Sequence, residues 1–199
     1  MAITRASQST VKQGLDKSKS FVAGIPPILG RYYLMGSVTV GSGGASSIEF
    51  TDIPPIYKHL QIRFIGHFDV SGSSQNPRIR FNSDSGSNYS YHGLYGTGAA
   101  AAAESAGNNS HITVGQISGN SYPNIFGASI IDILDYSSIS KNTTVRSLGG
   151  HDRNGSGNIF LQSGCWLNTS AVTSIQLTLN TYNWGQYSTA SLYGIGRVS

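Results

Sequence analysis

The chain has 199 residues, of which 11% are charged and 25 are glycine, with a formal net charge of +4. That length suffices for one domain with a sizeable core plus an extension. Disorder couples low hydrophobicity to high net charge, so this composition excludes that class and points instead to short strands joined by tight turns.

The first 36 residues read as an arm. They hold Arg5, Lys12, Lys17, Lys19 and Arg31 against Asp16 alone, whereas the remainder balances eight basic with eight acidic residues. A basic arm on a neutral body fits docking on an acidic surface. No strand or helix period is sustained there, although Val11–Leu15 could make a helical turn weakened by Gly14. Phe21, Val22, Ile25, Ile28, Leu29, Tyr32 and Tyr33 arrive in small apolar groups, broken by Gly24-Ile-Pro-Pro27. An arm that buries those groups on a partner explains them. The segment lacks the apolar centre of a signal peptide, and no run approaches membrane-spanning length, so the expectation is a soluble protein made in a cytoplasm.

Strands are expected from Ser37 on. Ser37–Val40 and Ser47–Phe50 flank Gly41-Ser-Gly-Gly44, a hairpin loop by composition. Pro54-Pro55 cannot donate to a ladder and forces a corner before the strand His59–Val70. Arg78–Asn82 alternates, Ser83–Asn88 turns as a hairpin, and Tyr89–Tyr95 is a strand. Gly96–Asn109, with its run of five alanines, reads as a long loop or a short helix. His111–Gln116, Gly127–Tyr136, Thr143–Leu148 and Asn158–Leu167 follow, with Gly149–Gly157 as a turn cluster. Ser174–Asn180, with Ile175, Leu177 and Leu179 facing inward, and Ala190–Ile195 complete the set. Roughly ten short strands with turn signals between them predict an all-β, two-sheet sandwich or jelly roll over residues 37–199, preceded by the extended arm of residues 1–36.

Little in this pattern carries chemistry. A glycosidase needs two carboxylates facing one another. Asp132 and Asp135 lie three apart on one strand and so point to opposite faces, with Arg146 as a partner. Asp69, Asp84, Glu104 and Asp152 lie in or beside loops, and His151-Asp152 falls in a surface turn. Asn82–Asn88 offers oxygens at alternate positions but one carboxylate, and reads as a turn. His67 and Asp69 share a strand face without completing a metal site. The lone Cys165, beside Trp166, reads as a small core residue. Arg78-Ile-Arg80 is too short a basic stripe to track phosphates. The expectation is no enzyme, no metal and no cofactor, and neither nucleic acid nor membrane as partner.

Three stretches carry a resemblance: Ser47-Ile-Glu-Phe-Thr-Asp-Ile-Pro-Pro-Ile-Tyr-Lys-His-Leu-Gln-Ile-Arg63, Ile79-Arg-Phe-Asn-Ser-Asp-Ser-Gly-Ser-Asn-Tyr-Ser90 and Ser191-Leu-Tyr-Gly-Ile195. Together they resemble a family of small β-sandwich virion proteins of tailed bacteriophages, including phages of aquatic hosts. Ile3–Ser7 and Val11–Gly14 are similar to the N-terminal attachment segments of such proteins. The resemblance implies a virion structural protein assembled in a bacterial cytoplasm. The leading expectation is a capsid cement protein, a homotrimer on the shell. Its arm would meet the major capsid protein through Arg5, Lys12, Lys17, Lys19, Phe21, Ile25, Leu29 and Tyr32. The alternative is a tail or fibre module binding a host glycan, with Tyr91, Tyr95, Tyr182, Trp184 and Tyr187 as stacking platforms on loops.

Overall fold

The computed structural model describes residues 11–14 and 32–197. Among these residues thirteen strands form: β1 (Val11–Gly14), β2 (Tyr32–Thr39), β3 (Ser47–Thr51), β4 (Tyr57–Gly66), β5 (Arg78–Phe81), β6 (Tyr89–Gly96), β7 (Ala101–Asn109), β8 (Ile112–Thr113), β9 (Gly127–Leu134), β10 (Thr143–Asp152), β11 (Gly157–Trp166), β12 (Ile175–Thr178) and β13 (Thr189–Arg197). They build an all-β, two-sheet sandwich. The larger sheet runs β2-β13-β4-β9-β10-β11-β6-β7. The smaller runs β3-β12-β5-β8, with β1 added in parallel on β3.

The expected Pro-Pro corner is where the chain crosses between sheets. β3 lies in the small sheet and β4 in the large one. Tyr136, fully buried, clamps the crossing: its phenol donates to the Pro54 carbonyl and accepts the Tyr57 amide at 3.3 Å. Burial pushes this phenol's pKa up, which keeps the proton it donates.

Both turns expected to close hairpins cross between sheets instead. Gly41–Gly44 is a tight turn (Gly44 N to Gly41 O, 3.1 Å; Gly44 φ +68°), but it joins β2 of the large sheet to β3 of the small one. Ser83–Asn88 likewise links β5 to β6 in the other sheet. Composition registers the reversal and cannot tell which neighbour each strand pairs with.

Four further expectations are corrected. The alanine run is strand, because β7 pairs with β6 along its length and the ladder outweighs alanine's helical preference. Val11–Gly14 is strand, not a helical turn, for the same reason. Gly149 and Gly150 lie inside β10 and not in a turn. A Cβ at Gly149 would fall 1.7 Å from the Ser129 hydroxyl, so the glycine marks close side-chain approach. Residues 32–36, read as arm, pair with β13 as the start of β2.

The core lies between the sheets. Ile48, Phe50, Ile79, Phe81, Ile175 and Leu177 from the small sheet meet Leu60, Ile62, Phe64, Ile131, Ile133 and Leu192 from the large one. Period-two alternation produces this, each strand sending every second side chain inward. Gly164 on β11 lets β8 approach, since a Cβ there would lie 2.6 Å from Ile112 Cγ2.

Candidate interaction surface: the outer face of the large sheet

The small sheet covers one face of the large sheet; the other faces solvent. On that outer face the register aligns Ala103, Leu94, Leu161, Leu148 and Ile130 in one row across five strands. A second row places Ile159, Gly150, Ala128 and Ile65 beside it. Leu94, Leu161, Leu148, Ile130, Ile159 and Ile65 are each 45–61% exposed. Single exposed hydrophobics are ordinary, but contiguous apolar patches of several hundred Å² mark contact surfaces.

The rest of this face is polar, and its charged side chains contact their neighbours on the sheet. Asp132 accepts from Gln61 Nε2 at 2.8 Å and pairs with Arg146 at 3.2 Å. Arg63 donates to Gln61 Oε1 at 2.9 Å, with its guanidinium 5.0 Å from the Tyr32 ring and 5.3 Å from the Tyr193 ring. Two open clefts flank the apolar row. One, about 530 Å³, is floored by Gly96, Gly150 and Ile159. The other, about 430 Å³, lies between Leu94, Leu161, His92 and Arg146. Such a face offers apolar area and shallow relief, with Asp132 and Arg146 paired and Arg63 held by Gln61 and two tyrosine rings.

The six aliphatic residues escaped the sequence reading, yet a signal exists. Ile130-Ile131 on β9 and Ile159-Phe160-Leu161 on β11 are consecutive apolar residues in strands. Consecutive side chains point to opposite faces, so such strands are apolar on both.

The structure disperses the residues singled out for other roles. Trp184 is fully buried, its indole donating to the Leu177 carbonyl at 3.2 Å, and offers no face to a sugar. Tyr182 stacks on Phe68 and Tyr95 on Phe160; Tyr91 is half-buried against the core. Of the five aromatic residues, Tyr187 alone is well exposed, at 67%. Tyr91 and Tyr95 lie on β6 and not on loops, and the segment carrying Tyr182 folds back onto the sandwich, because aromatic area is worth more in the core than in water. Of the arm residues, Tyr32 opens β2, Lys12 lies on β1, and Arg5, Lys17, Lys19, Phe21, Ile25 and Leu29 fall outside the described residues.

The carboxylates are engaged separately. Asp135 pairs with Lys141 and with Lys58 (2.7 Å), which hold its pKa down at about 2. Asp69 accepts the Asn183 amide at 3.1 Å and its side chain at 3.0 Å. His67 places one ring nitrogen 3.1 Å from the Phe68 carbonyl and the other 3.0 Å from that of Gln186. Among the described residues no group of three or more His, Cys, Asp or Glu could hold a metal ion.

Two residues lie elsewhere than expected. Cys165 is half-buried on the outer face, since alternation gives the inward position to Trp166. Burial nevertheless raises its pKa, as suits an unreactive thiol. His151 is buried near the end of β10, where burial first and Arg153 second lower its pKa; the strand extends two residues beyond the glycine pair.

No family model, curated protein or solved structure matches this chain.

Proposed function

We propose that this chain is a structural protein of a tailed-phage particle: a capsid cement protein without enzymatic activity that seats the outer face of its large sheet on the assembled shell. The observation that carries the reading is the row Leu94, Leu161, Leu148, Ile130, flanked by Ile159 and Ile65, six aliphatic residues left in water on one face. Burying that band at roughly 25 cal/mol per Å² would supply the binding free energy, and binding only the assembled shell opposes its disassembly by mass action. The virion assignment rests on the sequence resemblance. The basic segment before β2 serves in this reading as a second attachment to the major capsid protein.

The test is copy number in purified particles, measured by quantitative mass spectrometry against the major capsid protein, for the natural chain and for Leu148→Lys/Leu161→Lys. Both substitutions fall on exposed positions, so circular dichroism should stay native. The natural chain should be present at one copy per one to a few capsid subunits, and the double variant should be depleted about tenfold or more. Absence of the natural chain from particles would overturn the assignment. Full occupancy by the double variant would overturn the contact face.

A further inference from the structure

The large sheet ends in a strand that is built to be paired. Among the described residues the two sheets have four outer edges: β1, β8, β2 and β7. An open edge presents free amides and carbonyls, and folds ordinarily blunt it by shortness, bulges, proline or inward charge. β8 has two residues and β1 four. β2 is longer, but its pairing with β13 is broken by a bulge beside Tyr193, which twists an edge away from partners. β7 runs nine residues, Ala101–Asn109, without proline, lysine or arginine. Its pairing is regular from Ala101 to Ala106, and irregular only beyond that.

The one charge on this edge, Glu104, points to the inner face, but its carboxylate is taken up by a side chain of its own sheet and does not project across the edge. Glu104 Oε1 accepts from Gln162 Nε2 at 2.6 Å, within the chain's own sheet. Ala101, Ala102, Ala103 and Ser105 are exposed, and none is large enough to obstruct an approaching backbone. Water satisfies this edge in the free chain; a protein partner that replaces the water must be a strand, because only a strand matches the spaced amides and carbonyls.

We infer that the occupant is a second copy of this chain, with β7 pairing antiparallel to itself about a two-fold axis through Ala103. Antiparallel pairing must keep outer residues opposite outer ones, so the axis passes through a residue and not between two. With Ala103 opposite itself, Ala102 faces Glu104 of the second copy and Ala101 faces its Ser105. Neither glutamate meets the other, because each lies opposite the small Ala102, so like charges are kept apart. The row Ile130, Leu148, Leu161, Leu94, Ala103 then continues without a break into the same row of the second copy. Two eight-stranded sheets become one, and the apolar band doubles in length on one side. A two-fold pair of this kind is self-complementary and closes. This inference concerns the free chain and stands apart from the particle reading.

Sedimentation equilibrium of the full chain at tens of micromolar tests it, with Ala103→Lys and Ala103→Glu as variants. The natural chain should sediment as a dimer. Each variant places like charges opposite one another at the axis and should raise the dissociation constant severalfold. An equimolar mixture of the two variants places lysine opposite glutamate and should recover the dimer. Circular dichroism should be unchanged throughout, because Ala103 is exposed. A monomeric natural chain would overturn the inference. So would an oligomer indifferent to both variants, which would locate the contact on another surface. Failure of the mixture to recover the dimer would overturn the register.

Discussion

Asp84 ties the crossing between β5 and β6 to the core, and its removal should unfold a measurable share of the domain's stability. Its Oδ2 accepts from the Trp166 indole at 2.8 Å, and its Oδ1 from the Gly86 amide at 2.8 Å. Asn88 Nδ2 approaches both oxygens, at 3.2 and 3.0 Å, and the backbone carbonyl of Asp84 accepts from the Tyr89 phenol at 3.1 Å. Trp166 is 1% exposed, so in Asp84→Ala its N–H loses its acceptor where water has little access. Such an orphaned donor costs about 1–3 kcal/mol, while the exposed Gly86 and Asn88 groups turn to water at little cost. We expect a loss of about 2–3 kcal/mol for Asp84→Ala, against a typical total of about 5–15 kcal/mol. Asp84→Asn retains an acceptor oxygen and should lose about 1 kcal/mol. The assay is urea unfolding followed by tryptophan fluorescence. The pH dependence adds a second check. The hydrogen bonds, Trp166 first, hold the Asp84 pKa below its ordinary 3.8, so the carboxylate's contribution is full above that pH. It disappears as pH falls through the lowered folded value, and the gap between the natural chain and Asp84→Ala should narrow there. A loss below about 0.5 kcal/mol for Asp84→Ala at neutral pH would refute the reasoning.

Two other outcomes follow from buried polar groups. Tyr136→Phe removes the phenol that joins the Pro54 carbonyl to the Tyr57 amide and should cost about 1–3 kcal/mol in the same urea assay, with the fold retained by circular dichroism. His111 is 8% exposed, and burial first, then Arg78 and Arg80, lower its pKa from 6.5 to about 4. The unfolded chain therefore takes up this proton first. Stability attributable to His111 is full above pH 6.5 and falls towards pH 4. Across that interval His111→Gln should show a correspondingly flatter stability curve in urea titrations at successive pH values.

Alternation carried much of the architecture in advance. Leu60, Ile62 and Phe64, or Ile175 and Leu177, declare an inward face without reference to any partner, because side chains alternate along any strand. Pro54-Pro55 declared a corner for an equally local reason, the fixed φ and the missing donors. The all-β sandwich follows from summing such local facts.

Pairing is where local reading ends. Whether Gly41–Gly44 closes a hairpin or carries the chain to the other sheet depends on residues such as Tyr136 and Trp184, far away in sequence, that fill the space between the sheets. The alanine run is strand because β6 supplies a ladder for it, a partner no propensity records. The interaction surface has the same origin. Ile159, Phe160 and Leu161 are consecutive and apolar in the sequence, which requires apolar character on both faces of β11. Only the packing of the small sheet decides which face it covers, and so which aliphatic residues remain in water. Composition and periodicity determine what each strand can bury; the tertiary structure decides what is left over to meet a partner, because burial is a property of neighbours and not of residues.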